Sequence, residues 1–495
     1  MFLLCLLLLL LVSVSSSLNL PPSYKISDQH IDIATSAMEY ISNSPSPNHA
    51  VQNGINMLQD QQFIKLDERK PWPNLQPGGK YYFEREAPLG SSLVAFTVGK
   101  KYRSESCFKI LGAHTDSPNL RVKPKSRRTA SDLTMLNVET YGGGLWHTWF
   151  DRDLSLAGKV MVRRSGGRLE HKLVDLKKSI LRIPNLAIHL QTPTEREAFK
   201  VNKEDHLQPI LAGYISKALT GDNNVTKWTE GHEPLILNSL ASYLGCTVNE
   251  IVDFELHLYD TLGCKFNGMG EEFITGSRLD NLMGCFVCLR SLLNHGSVGL
   301  DSDYDVSLVA LFDHEEVGSS STTGAGSTII EESVKRISMS LKGEDEPKDY
   351  LEAKIRNSFV VSFDMAHAEH PNYSSKHEKY HCPKLNSGVV IKTNDNQRYA
   401  TNGQTGYIFR EVGRRCGQDI QEFVVRNDCA CGSTIGPIIS SRTGMRCVDV
   451  GTPQLSMHSI REMGGTKDVK MAVDVLEGFL REFRDIDDEM KGEEE

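Results

Sequence analysis

The chain has 495 residues and a formal charge of −9 at neutral pH, with 55 Lys and Arg against 64 Asp and Glu. A chain of this length is too long for one ordinary hydrophobic core, so we expect two domains. The acidic balance argues against nucleic acid as the main partner. A composition of 39% apolar and 24% charged residues is typical of a soluble globular protein.

Residues 1–20 have the pattern of a leader. An almost unbroken apolar run at 2–12 precedes small residues, as in a secretory signal peptide, and it is shorter than the roughly 20 residues of a membrane span. No Lys or Arg precedes the run, so an uncleaved anchor and a gene-model artefact stay open. A genuine leader predicts the secretory pathway, secretion or a vacuolar-lysosomal location. No second apolar segment follows, so we expect no stable membrane association.

The next segment is predicted to contain two helices and then two strands. Apolar residues recur at helical spacing through residues 28–65, and Pro45 and Pro47 divide this stretch into two helices. Residues 93–98 and 108–113 are largely apolar, which is typical of strands covered on both faces.

The middle third of the chain, residues 114–265, has a different pattern. Short apolar runs alternate there with polar stretches. The β-like runs are residues 158–162, 181–183, 186–190 and 254–258. Such spacing predicts short strands, so we interpret this third as an inserted β-rich domain.

An α/β pattern returns after residue 266. Residues 279–293 have the apolar face of a helix. The buried strands expected beyond it are residues 306–312, 358–363, 388–392, 421–425 and 445–450. Strands alternating with helices predict an α/β fold, a mostly parallel sheet with helices on both faces. Residues 28–113 and 266–485 would form this discontinuous domain, and the charged tail, residues 486–495, would be frayed.

Metal-type side chains follow several of these predicted strands. His114-Thr115-Asp116 comes after one strand, Asp313-His314-Glu315-Glu316 after another and Asp364 after a third. Asp280 opens a predicted helix, and His458 lies in a late loop. Because ligands of open α/β sheets bind beyond the carboxyl ends of the strands, we expect these side chains to lie close together.

Carboxylates at the ends of apolar strands need compensation. An ionised carboxylate in a dry site is costly unless it is paired or ligates a metal. Imidazole with carboxylate suits Zn²⁺, with Mn²⁺ and Co²⁺ as alternatives, and five ligands that share one carboxylate would hold two ions. Each residue alone is more often a helix cap, a salt-bridge partner or a satisfied histidine. The metal-site hypothesis therefore depends on the joint pattern.

The motifs around these residues occur in one order over residues 28–485. They are GAHTDSP (112–118), YGGG (141–144), WFDRDL (149–154), SRLDN (277–281), DHEEVGS (313–319), DMAHA (364–368), RND (426–428) and MHSIRE (457–462). With these motifs the chain resembles the aspartyl aminopeptidases, a family of co-catalytic metallopeptidases. The resemblance covers nearly the whole chain.

The resemblance implies a role for each of the candidate residues. The implied metal ligands are His114, Asp280, Glu316, Asp364 and His458. Asp280 would bridge both ions, Glu315 would be the general base, and Asp116 would fix the tautomer and orientation of His114.

The resemblance also implies substrate contacts. The matching positions are His189, Glu315, Asp364, His367, Lys392 and Tyr399. His189, on a predicted strand of the insertion, would stabilise the tetrahedral intermediate in the active site of a neighbouring subunit. Lys392 would pair with an acidic substrate side chain.

The function implied by this resemblance is a two-zinc aminopeptidase that removes N-terminal Asp or Glu from short peptides. Residues 28–113 and 266–485 would be the catalytic domain, and residues 114–265 would be a dimerisation domain. Dimers of this family assemble into dodecamers, and its members are mostly cytoplasmic, which conflicts with a leader. A neutral-specificity aminopeptidase and a catalytically silent scaffold on the same fold stay open, although the intact Glu315 and ligand set argue against the second.

Overall fold

The computed structural model describes residues 25–103, 105–213, 226–343 and 347–491. The predicted leader, residues 1–20, lies outside these ranges. Within them the strands form three sheets, and no described helix is both long and apolar enough to cross a bilayer.

The main sheet has buried parallel strands at its centre. In spatial order its strands are β1 (Ile64–Lys65), β2 (Lys80–Arg85), β3 (Ser92–Val98), β13 (Val306–Phe312), β4 (Phe108–His114), β14 (Phe359–Phe363), β18 (Arg446–Gly451), β16 (Val390–Thr393) and β17 (Gln421–Val424). Strands β13, β4, β14 and β18 are mutually parallel, whereas β2–β3, β3–β13 and β16–β18 are antiparallel pairs. Every residue of β4, β13 and β14 is buried, as expected of strands that helices cover on both faces.

Helices cover both faces of the main sheet. One face carries α1 (Asp28–Ser42), α2 (Pro47–Asp60), α6 (Leu279–Val298), α9 (Gly403–Arg415) and α11 (Thr466–Lys491). The other face carries α7 (Ile329–Ser340), α8 (Tyr350–Asn357) and α10 (Ile435–Thr443). Pro47 is the first residue of α2, where its fixed φ suits a helix start. The predicted α/β fold with helices on both faces is confirmed.

A second sheet lies within the middle third of the chain. In spatial order its strands are β8 (Leu169–Asp175), β7 (Leu154–Arg163), β10 (Ile251–Asp260), β5 (Asn119–Ala130), β6 (Leu133–Tyr141) and β9 (Ile210–Ala212). The helices of this region are α3 (Pro193–Glu197), α4 (Lys227–Glu230) and α5 (Pro234–Leu244). The sheet has its own apolar core, in which Trp149 and Leu156 lie with Leu240 of α5. His114 belongs to the main sheet, as the last residue of β4.

The strand predicted at residues 186–190 is wrong. Ile188–Leu190 is a single 3₁₀ turn, and its side chains are open to solvent, with Ile188 61% and Leu190 72% exposed. An apolar run can mark a surface patch as well as a buried strand, and periodicity alone does not separate the two.

The frayed tail predicted from residue 486 is also wrong as far as the structure describes it. Helix α11 continues to Lys491. Ile486 is buried in the main core, and Asp487 forms an ion pair with Arg446 of β18. These contacts hold the last turns of the helix against the sheet.

A third, small sheet joins segments that are distant in sequence. In spatial order its strands are β11 (Lys265–Asn267), β12 (Phe273–Gly276), β20 (Glu462–Gly465), β19 (Pro453–Leu455) and β15 (Ala366–His367). Strand β12 precedes Asp280, β15 follows Asp364, and β19 precedes His458. Strands of this sheet therefore lie close in sequence to three of the predicted metal ligands.

Candidate metal centre

The predicted metal ligands meet at one edge of the main sheet. His114 ends β4, Asp364 directly follows β14, and Glu316 lies in the turn after β13. These three strands are parallel neighbours, so their carboxyl ends lie side by side. Asp280 near the start of α6 and His458 after β19 complete the set.

Asp280 lies between two groups of ligands. Its Oδ1 is 3.4 Å from His114 Nε2, and its Oδ2 is 3.4 Å from His458 Nε2. Asp364 Oδ1 lies 3.3 Å from His114 Nε2, and Glu316 Oε2 lies 3.3 Å from His458 Nε2. We call His114, Asp280 and Asp364 the His114 group, and His458, Asp280 and Glu316 the His458 group.

The donor atoms of this site fit divalent metal. Ligand atoms of His114, Asp280 and Glu316 lie within 4.8 Å of one another. Asp280 Oδ1 and Glu316 Oε1 are buried and accept no hydrogen bond, which is costly for carboxylate oxygens unless a cation compensates. Imidazole nitrogen together with carboxylate oxygen is a donor set typical of Zn²⁺.

The charge of the centre perturbs its titratable groups. Burial, together with the neighbouring Asp364 and Glu316, raises the pKa of Glu315 well above its usual value, although His114 acts in the opposite direction. Burial likewise raises the pKa of Glu316 to about 7. Burial lowers the pKa of His458, but Asp280 and Glu316 outweigh it and raise this pKa to about 12. The site thus contains more carboxylates than the positively charged side chains around it can neutralise.

Asp116 lies beside His114 and contacts the turn that carries Glu315 and Glu316. Its Oδ1 lies 3.4 Å from His114 Nδ1, which fits the predicted role of orienting that ring. Its two oxygens also accept the backbone N–H groups of Glu315 and Glu316, both at 3.1 Å. Tyr141 donates its hydroxyl to Asp116 Oδ2 at 2.6 Å. Tyr141 belongs to the YGGG motif, but no role was predicted for it from the sequence.

Glu315 lies beside the His114 group but outside both groups of ligands. Its Oε2 is 4.0 Å from His114 Nε2, and its side chain is 15% exposed. Glu316, the next residue, faces His458. Two adjacent carboxylates thus point to different places, one to the ligand cluster and one to the cleft in front of it.

A cleft of about 310 Å³ opens onto the centre. Its lining residues are Asp280, Glu315, Glu316, Gly318, Ser319, Asp364, Met365, His367, Lys392, Tyr399, Gly432, Ser433, Thr434, Ile438, Met457 and His458. The predicted substrate contacts His367, Lys392 and Tyr399 are therefore all in one cleft with the ligands. The segment 432–434 was missed, because no metal-type or charged residue marks it, and Met457 was quoted only within the MHSIRE motif and given no role.

Lys392 brings a cation to this cleft. Its side chain is 3% exposed, and its Nζ lies 3.4 Å from Asp364 Oδ2 and 3.1 Å from Met365 O. The same Nζ lies 5.1 Å from the centroid of the Tyr399 ring. The lysine is therefore held in place by its neighbours, and it lines the cleft.

His189 is absent from the lining of this cleft in the described part of the chain. It lies in the exposed turn Ile188–Leu190 of the second sheet region, between the exposed apolar side chains of Ile188 and Leu190. Within one chain, the structure does not bring His189 to the metal centre.

Comparison with known proteins identifies the family. The family described as Aminopeptidase I zinc metalloprotease (M18) matches residues 40–480. This chain belongs to the M18 family. An aspartyl aminopeptidase of Dictyostelium discoideum is 42% identical over 480 residues, which cover 93% of this chain and 98% of the relative. The aspartyl aminopeptidase of Caenorhabditis elegans is 42% identical over 451 residues, 89% of this chain and 93% of the relative.

Solved M18 structures share the fold. The Ape4 and Nbr1 complex, solved by cryo-EM, matches with a TM-score of 0.87 at 41% identity, covering 93% of this chain and 87% of that chain. The S. cerevesiae mApe1 dodecamer matches with a TM-score of 0.82 at 29% identity, covering 94% of this chain and 100% of that chain. As an M18 member related to aspartyl aminopeptidases, this chain is a metallo-aminopeptidase, a hydrolase of the exopeptidase class. The family description implies a divalent metal, zinc in the first place.

Proposed function

We propose that this M18 protein removes N-terminal Asp or Glu residues from short peptides with two divalent ions bound per subunit. One observation carries the two-ion proposal: Asp280 presents one oxygen to the His114 group and the other to the His458 group. A carboxylate placed between two ligand groups is the arrangement of a bridging ligand. Zn²⁺ is the expected ion, with Mn²⁺ and Co²⁺ as alternatives.

The His114 group would hold one ion and the His458 group the other. Two bound dications would supply a polarised scissile carbonyl and an activated water. Asp116 would hold His114 and Glu316 in position. It accepts the N–H groups of the turn that carries Glu316, and it lies beside the His114 ring.

Glu315 is the proposed general base. Its carboxylate faces the cleft beside His114, within reach of a water and of the substrate amine. It would accept a proton from the attacking water and return it to the leaving amine nitrogen.

Lys392 supports the preference for acidic residues. A buried lysine in a substrate cleft is costly unless a negative partner compensates it. Asp364 provides part of that charge, but it would share the charge with an ion of the His114 group. A substrate carboxylate at this end of the cleft would complete the pairing. A neutral-specificity aminopeptidase is the competing function.

Self-assembly is proposed from the family and from an exposed apolar patch. A solved M18 relative is a dodecamer. In this chain Leu186, Ile188, Leu190 and Phe199 are 44–72% exposed, and clustered apolar side chains of this kind mark protein contacts. We infer that the insertion forms dimers that build a dodecamer, and that dimerisation brings His189 to a neighbouring subunit's cleft.

The test is metal removal and restoration with matched substrates. The native protein is dialysed against a chelator, its zinc content is measured, and hydrolysis of Asp-, Glu-, Ala- and Leu-dipeptides is followed before and after Zn²⁺ is returned. We expect two ions per subunit, loss of activity without them, and faster hydrolysis of the acidic substrates. Unchanged hydrolysis after full metal removal contradicts the mechanism. Faster hydrolysis of the neutral dipeptides supports the competing specificity, and no hydrolysis with metal restored supports the silent scaffold.

A further inference from the structure

Glu462 lies directly behind the metal centre and is 2% exposed. Its Oε2 accepts the backbone N–H of Asp280 at 3.0 Å, and its Oε1 accepts the backbone N–H of His458 at 2.8 Å. Both donors belong to members of the His458 group. One carboxylate thus fixes the main chain of two predicted ligands that are 178 residues apart in sequence, from 280 to 458.

The third sheet holds Glu462 in place. It is the first residue of β20, and it pairs with Gly276, the last residue of β12, in an antiparallel ladder. The same ladder leads into Asp280 four residues later. Because the sheet hydrogen bonds fix the backbone of Glu462, its carboxylate is a rigid reference point for both ligands.

The backbone that Glu462 holds is in a sparsely populated conformation. His458 has φ of 66°, in the left-handed region that residues other than glycine rarely adopt. Such a conformation persists when surrounding contacts determine it. At His458 these contacts are the N–H donated to Glu462 and the carbonyl that accepts the N–H of Leu145 at 2.9 Å.

We propose that Glu462 is a positioning residue that sets the separation of Asp280 and His458, and so the affinity of the ion held by the His458 group. The inference rests on the two-ion function proposed above. Glu462 does not line the cleft, and its carboxylate accepts the backbone N–H groups of two ligands, so its effect passes through these two groups.

The proposal predicts an asymmetry between the two ions. His114 is fixed by β4 and by Asp116, and Asp364 by β14, which Glu462 does not contact. His458 lies in a loop, and Glu462 is one of its main-chain partners. Asp280 belongs to both groups, so Glu462 holds two of the three ligands of the His458 group but only one of the three ligands of the His114 group. Loss of Glu462 should therefore weaken the ion of the His458 group more than the ion of the His114 group.

The experiment compares two substitutions with a matched control. Glu462→Gln keeps the size of the side chain but replaces one acceptor oxygen by an NH₂ donor. Glu462→Asp keeps the charge but is one methylene too short to reach both N–H groups. The control is Ser277→Ala, since Ser277 Oγ donates to Ile460 O and joins the same two segments without touching a ligand N–H. The full-length protein is stripped of metal and titrated with Co²⁺, whose visible spectrum reports coordination.

The expected result is a large loss of affinity for one ion and a smaller loss for the other. Substitutions around a metal site typically cost about 10- to 100-fold in affinity, and we expect a loss of this size for one of the two ions in both Glu462 variants. That ion should be the one lost in a His458→Ala reference. Ser277→Ala should bind both ions nearly as the native protein does, and the melting temperature of the metal-free Glu462 variants should stay close to native.

Three results would overturn the proposal. Native binding by Glu462→Asp with weak binding by Glu462→Gln would mean that charge matters rather than position. Equal weakening of both ions, with a lower melting temperature of the metal-free protein, would mean general loosening of the fold. Native binding by both variants would mean that the N–H groups need no carboxylate. If the native protein itself binds fewer than two ions, the proposed function fails, a result that the native titration reveals separately.

Discussion

At the scale of single residues, the proposed function assigns to Lys392 the pairing with an acidic substrate side chain. Removing one partner of a buried charge pair typically costs about 2–5 kcal/mol, whereas a neutral substrate has no such pair to lose. Lys392→Met keeps most of the aliphatic side chain and removes the charge. We expect kcat/KM for Asp- and Glu-dipeptides to fall by at least about 30-fold, the equivalent of about 2 kcal/mol.

The neutral substrates and a surface lysine provide the controls for this prediction. Ala- and Leu-dipeptides should change little in the Lys392→Met variant. Lys384, which is exposed on the segment before β16, should tolerate the same substitution with all four substrates. Equal losses on acidic and neutral substrates would reject the specificity role and leave Lys392 as a structural cation beside Asp364.

The ligands themselves could be predicted from sequence because of their chemistry. Buried histidines and carboxylates at the ends of apolar strands are rare enough to stand out, and His114, Asp364 and Glu316 all follow such strands. Glu462 gave no such signal. It belongs to a strand of four residues, and its importance comes from hydrogen bonds to the backbone, which any sequence offers at every position.

At the scale of secondary-structure elements, a buried ion cluster joins the opposite end of the main sheet to its helices. Lys109 of β4 donates to both oxygens of Asp303, at 2.8 and 2.9 Å, and to the carbonyl of Leu480 in α11. His295 of α6 lies 2.8 Å from Asp303. Burial raises the pKa of Asp303, but Lys109 and His295 outweigh burial and hold this pKa below its usual value.

We predict that Asp303→Asn destabilises the fold without changing the metal centre. Breaking a buried ion pair by removing one partner costs about 3–5 kcal/mol, and Lys109 would be left without its counter-charge. Lys109 is five residues before His114 on β4, roughly 16 Å away, so metal affinity should be native. Chemical denaturation of the metal-free protein measures the loss of stability, and the double variant Lys109→Met/Asp303→Asn should recover part of it.

The same cluster makes a prediction for pH. A carboxyl group with a lowered folded-state pKa contributes stability above its unfolded pKa of about 3.9, and this stability is lost as the pH falls through the folded-state pKa. The native protein should therefore lose more stability than Asp303→Asn on acidification below about pH 4. Parallel curves of unfolding free energy against pH would show that Asp303 does not titrate in this way.

Some elements could be predicted from sequence and others could not, for physical reasons. The central strands, such as Val306–Phe312, are almost wholly apolar because helices cover both faces. The third sheet has strands of two to four residues, too short for any periodicity to show. The exposed run at 186–190 was assigned to a strand because an apolar contact surface has the same composition as a core strand.

At the scale of the whole molecule, the exposed apolar run at residues 186–190 links the structure of the single chain to its proposed assembly. The cleft of one chain is lined by four of the five predicted ligands, by Glu315 and by Lys392, but not by His189. His189 lies instead among exposed apolar side chains that would be buried in a dimer. If the proposed assembly is right, each complete cleft takes residues from two chains.

Co-expression of two inactive variants tests this shared site directly. His189→Ala removes the residue donated to the partner, and Glu315→Gln removes the base from the cleft that receives it. In a mixed dimer, one cleft has both native residues. With random pairing half of the dimers are mixed, so about a quarter of native activity should return, although each variant alone is nearly inactive. The control is co-expression of Glu315→Gln with Asp364→Asn. Each of these substitutions damages the cleft of its own chain, so a mixed dimer has no native cleft and no activity should return. If His189→Ala with Glu315→Gln also restores nothing while mixed oligomers are recovered, His189 does not act across the subunit interface.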